Sequence, residues 1–282
     1  MSAILLSGKE LASKLEENQK LSVCKLQEQG ISPKLSVIMV GDNSASAIYV
    51  RNKARACERI GILSETVHLP QDTTQEELLR AIDQLNADAS VHGILIQLPL
   101  PAHLDEAAAM LRVSPQKDVD GFHVYNAGKL LLGEKGFRPC TPQGIVRLLH
   151  SADITLDGAH AVIIGRSNIV GKPTALMLMQ ENCTVTVCHS HTKDLSSITR
   201  QADVLVAAVG KPCFVKADMV KPGAAVIDVG INRVDGKVVG DVDFAAVSDV
   251  AGYITPVPGG VGPMTVSMLM ENTLEAAWMA LR

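Results

Sequence analysis

Residues 160–173 read HAVIIGRSNIVGKP, an apolar run that ends at Gly165 and leads into a polar turn with a second glycine. The run over 160–165 predicts a buried strand, and Pro173 suits the first turn of a helix over 172–180. A strand, a glycine-containing turn and a helix in this order place backbone N–H groups around an anion. The stretch therefore predicts a phosphate-binding turn in an α/β sheet.

The spacing of this turn excludes one nucleotide motif and matches another only weakly. A Walker A loop has four residues between its glycines and then Lys-Ser/Thr, whereas five residues separate Gly165 from Gly171 and Pro173 follows Lys172. The G-x-G-x-x-G fingerprint is also absent. The turn favours a dinucleotide over a nucleoside triphosphate, and a plain glycine-rich turn stays open.

The end of the next predicted strand bears on which dinucleotide the turn binds. NAD-specific sites usually carry Asp or Glu about 20 residues past the loop, but residues 188–191 read CHSH and contain no acid. Arg166 and Ser190 supply a guanidinium and a hydroxyl for a 2′-phosphate. The pattern favours NADP(H), and the alternative is that Arg166 is only a solvated loop residue.

Outward from this stretch, the chain alternates strand-like and helix-like segments, which is typical of α/β proteins. The predicted strands lie at 35–41, 66–69, 92–97, 160–165, 184–188, 203–210 and 224–230. The predicted helices lie at 44–60, 74–85, 105–111, 124–132 and 172–180, and a last one begins at Pro263 with a buried face of Met270, Leu274, Ala277, Trp278 and Leu281. Frequent Gly and Pro over 114–144 mark a domain junction.

Composition excludes several classes of protein. Aromatic residues make up 3% of the chain against 47% hydrophobic residues in all, which suits parallel sheets covered by helices. A net charge of −4 without a basic stripe argues against nucleic acid, and the apolar runs are shorter than the ~18 residues of a membrane span. We expect a cytoplasmic protein with reduced thiols. We expect no metal site, because Cys183 and Cys188 would point to opposite faces of a strand.

The first half of the chain offers three candidate chemical features. Tyr49 and Lys53 are four residues apart on one helix face, where a lysine beside a phenol can relay protons, although neighbouring arginines leave a solvated basic face as the alternative. Gln97 follows a strand and can offer its amide to a ligand. One of Asp118 and Asp120 can accept hydrogen bonds from a heterocycle, and the alternative is that the two form an acidic surface turn.

Residues 255–265 read TPVPGGVGPMT, in which two prolines and three glycines precede Pro263. Such a loop presents backbone groups to a ligand at the start of a helix. With this loop, the motifs resemble the bifunctional methylenetetrahydrofolate dehydrogenase/methenyltetrahydrofolate cyclohydrolase family, also called the FolD family. The segments that carry the resemblance are SASAIYVRNKARACERIGI, GILIQLPLP, KDVDGFH, RPCTPQG, VIIGRSNIVGKP, VIDVGIN and TPVPGGVGPMT, in the family's order.

The resemblance implies the roles of individual residues. On the folate side, it implies an essential lysine, the tyrosine beside it, a supporting glutamine, a carboxylate that binds the pterin ring, and a loop lining the pocket; these are Lys53, Tyr49, Gln97, Asp120, Pro258 and Gly262. On the cofactor side, it implies contacts to NADP from Gly165, Arg166, Ser167, Ser190 and Ile231. Asp118 has no implied role.

The resemblance also implies the architecture and the partners. It implies an N-terminal α/β catalytic domain over 1–139, joined by a C-terminal helix over 266–282, and a Rossmann-like NADP-binding domain over 140–265, with an active-site cleft between them. It implies tetrahydrofolate substrates, a role in one-carbon metabolism and a homodimer. Two rivals remain: another NADP oxidoreductase of the same plan, such as a shikimate dehydrogenase-like enzyme, and a non-catalytic dinucleotide-sensing module.

Overall fold

The computed structural model describes residues 2–281, without the side chain of residue 45. The chain divides into two compact units. The three-stranded unit comprises Lys14–Arg138 and the chain from Val266 onward. The six-stranded unit comprises the chain up to Ser13 and Pro139–Thr265. Each is named after its main parallel sheet.

The elements have the following bounds. The strands are β1 (Ile4–Leu5), β2 (Lys34–Val40), β3 (Leu63–Leu69), β4 (Gly93–Ile96), β5 (His160–Ile164), β6 (Thr184–Cys188), β7 (Val204–Ala207), β8 (Ala225–Asp228), β9 (Asn232–Val234), β10 (Lys237–Val239) and β11 (Tyr253–Ile254). The helices are α1 (Gly8–Glu28), α2 (Ser44–Ile60), α3 (Gln75–Ala87), α4 (Glu106–Arg112), α5 (Val124–Leu132), α6 (Cys140–His150), α7 (Gly171–Gln180), α8 (Leu195–Thr199), α9 (Phe244–Ser248) and α10 (Val261–Met279).

The three-stranded sheet has the order β3-β2-β4, and all its pairs are parallel. Its central strand β2 is buried from Leu35 to Val40, which explains the uninterrupted apolar run. Helix α3 begins with a capping box between Thr74 and Glu77 and buries Leu78 and Ile82 against the sheet. The carboxyl ends of these parallel strands therefore lie at one edge.

The six-stranded sheet has the order β1-β11-β8-β7-β5-β6 and is parallel throughout. The chain runs from β5 outward to β6 and then returns to β7 on the other side of β5. Such a reversal opens a crevice at the carboxyl ends of the strands, where open α/β sheets bind ligands. Its core contains Val162, Leu205, Val226 and Ile254.

Every strand and helix predicted from the sequence is present, with shifts of at most a few residues at the ends. Helices α1 and α6, and the short elements β1, β9, β10, β11, α8 and α9, lie where no element was predicted. The short strands lack a measurable sequence period, because two or three residues cannot display alternation.

Two predictions need correction. Residues 2–13 group with the six-stranded unit and not with the first domain: β1 pairs with β11, and Ile4 N donates to Gly252 O at 2.8 Å, so β1 forms an edge of the six-stranded sheet. Leu281 does not lie on the buried face of the last helix, since it follows the end of α10 and is 42% exposed. Met270, Leu274 and Ala277 are buried as predicted.

Gly165 and Gly171 pack against backbone at the reversal point. A Cβ atom on Gly165, whose φ is +127°, would meet the carbonyl oxygen of Ala208 after β7. A Cβ atom on Gly171, the first residue of α7, would meet the carbonyl group of Gly165. Both contacts are with backbone, which cannot move aside as a side chain can, so the turn requires glycine at both positions.

We expect Gly171→Ala to destabilise the protein by about 1–3 kcal/mol, the usual cost of overpacking. Gly128→Ala is the matched control, because Gly128 lies within α5 with open space around its Cβ position. Thermal unfolding followed by circular dichroism checks the prediction. A midpoint for Gly171→Ala equal to that of the wild type would contradict the close contact.

Candidate active site

Lys53 and Gln97 are in direct contact in the three-stranded unit. Lys53 Nζ donates to Gln97 Oε1 at 3.0 Å, and Gln97 Nε2 donates to the carbonyl oxygen of Leu98 at 2.7 Å. The second bond fixes which way the amide points, so its oxygen faces the ammonium group. Gln97 is 9% exposed, and its backbone N–H donates to Ile38 O of β2. The sheet thus holds the acceptor rigidly.

The basic residues of helix α2 differ in their exposure. Lys53 is half-buried against Gln97, whereas Arg51 and Arg55 are exposed. Positions 51 and 55 project away from the Tyr49–Lys53 face, because residues two apart on a helix point in different directions. Tyr49 lies one turn before Lys53 and is 42% exposed. Lys53 is therefore not part of a solvated basic face.

Asp120 lies at the same edge of the sheet as Gln97. Ile94 N of β4 donates to Lys117 O at 2.8 Å, and Ile94 forms a parallel bridge with Asp118. The segment that carries the aspartates therefore runs alongside β4 in the same direction. Asp120 comes just after this segment, as Gln97 comes just after β4. The side chain of Asp120 is half-buried.

Asp118 is a buried acceptor rather than part of an acidic surface turn. Its carboxylate accepts from Phe122 N at 3.2 Å, from His123 N at 2.9 Å and from Asn126 Nδ2 at 2.8 Å. Burial raises its pKa to about 6. The family resemblance implied no role for Asp118. The turn itself is recognisable in the sequence, because Asp at the first position and glycine at the fourth, here Gly121, are typical of it.

In the six-stranded unit, the turn after β5 carries three of the predicted cofactor contacts. Gly165 N donates to Cys188 O, so the turns after β5 and β6 are neighbours. Arg166 and Ser190, which follow these two strands, are both exposed. Ser167 Oγ accepts from the backbone N–H groups of Val170 and Gly171 at 3.2 and 3.3 Å, and thereby caps the start of α7.

The remaining predicted residues also follow strands of this sheet. Ile231 comes after β8 and is 51% exposed. Pro258 is exposed in the loop after β11, and Gly262 lies in the first turn of α10. The residues fit a dinucleotide, because glycine backbone lies at the reversal point and an exposed guanidinium and hydroxyl lie on the adjacent turns.

Neither a membrane-spanning helix nor a metal cluster is present in the described part of the chain. No helix within residues 2–281 is long and apolar enough to cross a membrane. No group of three or more His, Cys, Asp or Glu side chains in that range is placed to hold a metal ion. Cys183 and Cys188 are both buried, and burial raises the pKa of each thiol.

The chain matches models of known protein domains over almost its whole length. Residues 6–120 match the catalytic domain of tetrahydrofolate dehydrogenase/cyclohydrolase, and residues 139–281 match its NAD(P)-binding domain. The chain belongs to the tetrahydrofolate dehydrogenase/cyclohydrolase family. The first match includes Tyr49, Lys53, Gln97 and Asp120 of this family member, and the second includes all its predicted cofactor contacts.

Individual relatives agree with this family assignment. The chain is 56% identical to the bifunctional protein FolD of Halalkalibacterium halodurans, with 98% of this chain and 99% of the relative covered. The crystal structure of a bifunctional FolD enzyme from Campylobacter jejuni is 53% identical with a TM-score of 0.97, covering 99% of both chains. The Trypanosoma brucei FolD structure, complexed with NADP cofactor and an inhibitor, is 39% identical with a TM-score of 0.96, covering 100% and 99% of the two chains.

The raised pKa of Asp118 predicts a pH-dependent cost of its replacement. Because the folded pKa of about 6 lies above the usual 3.8, the protonated form is favoured in the fold, and this stabilisation is lost as pH rises through 6. We therefore expect Asp118→Asn to destabilise the protein more at pH 4 than at pH 7, by about 2 kcal/mol.

Urea unfolding at pH 4 to 7 measures this difference in the free energy of unfolding. Asp83→Asn is the control, because the Arg112 guanidinium holds the pKa of Asp83 below its usual 3.8, so the contribution of Asp83 to stability is lost only below pH 4 and stays nearly constant from pH 4 to 7. A cost of Asp118→Asn that stays constant or grows from pH 4 to 7 would rule out the raised pKa.

Proposed function

We propose that this protein oxidises 5,10-methylenetetrahydrofolate to 5,10-methenyltetrahydrofolate with NADP⁺ and hydrolyses the product to 10-formyltetrahydrofolate. The observation that carries the proposal is the hydrogen bond from Lys53 Nζ to Gln97 Oε1 within a matched folate-family catalytic domain. A lysine held by a fixed neutral amide, beside a phenol and a carboxylate, suits proton transfer on a nitrogen heterocycle.

In the oxidation, the protein orients its substrate. Asp120 accepts hydrogen bonds from the pterin ring, and Tyr49 lies against the substrate one helix turn from Lys53. Loss of hydride from the bridging carbon leaves a cation that the adjacent folate nitrogens stabilise. When bound, NADP⁺ supplies the acceptor carbon for that hydride. Positioning is therefore the main contribution of these side chains.

In the hydrolysis, Lys53 moves the protons. Water adds to the methenyl carbon and loses a proton. As the bond from that carbon to N5 breaks, the resulting hydroxyl loses its proton to form the formyl group and N5 takes up a proton, so one proton is released overall. Neutral Lys53 accepts the first proton and, as ammonium, can return one to N5. Gln97 Oε1 accepts a hydrogen bond from Lys53 Nζ whether the lysine is neutral or charged, so the amine stays in place throughout.

The preference for NADP is proposed from the turns after β5 and β6. The segment after β6 contains no acid up to Lys193, and Arg166 supplies a planar guanidinium for a phosphate.

The proposal further includes a homodimer in the cytoplasm, which the family resemblance supports. Sedimentation equilibrium of the purified protein tests the dimer.

We expect Lys53→Met to lower the hydrolysis of methenyltetrahydrofolate by about 10²-fold or more, the usual contribution of a general base. Arg55→Met is the control, because Arg55 is an exposed cation on another face of α2. The loss of methenyl absorbance, measured without cofactor, gives the rate. Hydrolysis retained by Lys53→Met would exclude the assigned role, and wild-type protein without any turnover would exclude the proposed function.

We expect Arg166→Ala to weaken NADP⁺ binding by about ten-fold or more while it leaves NAD⁺ binding nearly unchanged, because only NADP⁺ carries the 2′-phosphate. Arg200→Ala is the control, since the Arg200 guanidinium donates to the carbonyl oxygen of Asp218. Calorimetric titration with each dinucleotide gives the dissociation constants. Equal losses for both dinucleotides would show that Arg166 does not recognise the 2′-phosphate.

A further inference from the structure

The carboxylate of Asp241 joins two loops of the six-stranded unit. It is 0% exposed and accepts four hydrogen bonds. Oδ2 accepts from the backbone N–H groups of Val209 and Gly210 at 2.6 and 2.9 Å. Oδ1 accepts from Lys211 N and Asn232 Nδ2, both at 2.9 Å. The first three donors follow β7 and the fourth follows β8, so one side chain ties both loops together.

A second carboxylate holds Asp241 in place. Asp228, at the end of β8, accepts from Asp241 N at 2.8 Å and from Gly230 N at 3.0 Å through Oδ1, and from Val242 N at 2.9 Å through Oδ2. A Cβ atom on Gly230 would meet the Asp241 carboxylate, and one on Gly240 would meet that of Asp228. The two carboxylates are therefore enclosed by backbone.

Ile231 lies in the loop after β8, between two residues that the buried carboxylates hold by hydrogen bonds. Gly230 is bonded to Asp228 and Asn232 to Asp241, while the Ile231 side chain is 51% exposed. We propose that Asp241 is a positioning residue for the pyridine dinucleotide, which fixes the backbone of residues 209–211 and 230–232 in the form that receives the cofactor. This proposal rests on the proposed function, which makes Ile231 a cofactor contact.

The physical consequence is preorganisation. Loops that are already ordered lose little conformational entropy when a ligand binds, so their release weakens affinity. Asp241→Asn keeps the shape of the side chain but replaces one carboxylate oxygen with an NH₂ group. The N–H groups that donated to that oxygen then lose their acceptor. Asp241 is assigned no contact with folate, and cofactor-free hydrolysis of methenyltetrahydrofolate should not depend on it.

The test compares Asp241→Asn with Asp243→Asn, which makes the same charge change at a half-buried site paired with Lys216 at 3.0 Å. We expect Asp241→Asn to raise the calorimetric dissociation constant for NADP⁺ by about ten-fold, with cofactor-free hydrolysis within about two-fold of wild type. We expect Asp243→Asn to change neither. Affinity equal to wild type, or equal losses in binding and hydrolysis, would overturn the positioning role.

If Asp241→Asn does not fold, Asn232→Ala replaces it, because it removes one of the four donors to Asp241 and leaves both carboxylates. We expect it to raise the NADP⁺ dissociation constant about three-fold without changing hydrolysis. An unchanged dissociation constant would overturn the inference. Wild-type protein that does not bind NADP⁺ would instead refute the proposed function, so the two failures are distinguishable.

Discussion

Loops that follow parallel strands leave backbone N–H groups without partners in the sheet, and buried carboxylates satisfy them in both units of this protein. Asp118 does so beside β4, and Asp228 and Asp241 do so after β8 and β7. An unsatisfied buried N–H group costs about as much as a lost hydrogen bond, so loops of this kind need a local acceptor. Here the acceptors lie next to the residues assigned to substrate and cofactor.

Burial of these carboxylates has an electrostatic cost. Burial raises the pKa of Asp118 and of Asp228 to about 6 each, against the usual 3.8. Three hydrogen bonds to each carboxylate favour the charged form and offset part of that cost. The result is rigid loops whose shape is set before any ligand arrives, which is what a reaction that depends mainly on orientation requires.

The glycines of the cofactor turn show how far sequence reasoning extends. Spacing alone excluded a Walker loop, and the predicted strand β5 and helix α7 are both present. Spacing could not show that a Cβ atom on Gly165 would meet the carbonyl group of Ala208, because Ala208 follows β7, the second strand after β5. Likewise, the N-terminal segment gave no signal for β1, since an edge strand of two residues acquires its identity only from its partner β11.

The sequence by itself determined the α/β class, the order of the long elements other than α1 and α6, the dinucleotide-type turn and the folate-family motifs, because these depend on local periodicity, turn chemistry and spacing. Tertiary structure decided which of those residues act on one another. The contact of Lys53 with Gln97 joins a helix to a strand end 44 residues away. The four donors to Asp241 come from loops that precede it by up to 32 residues. Such pairings arise from how strands are ordered in a sheet, which no local pattern specifies.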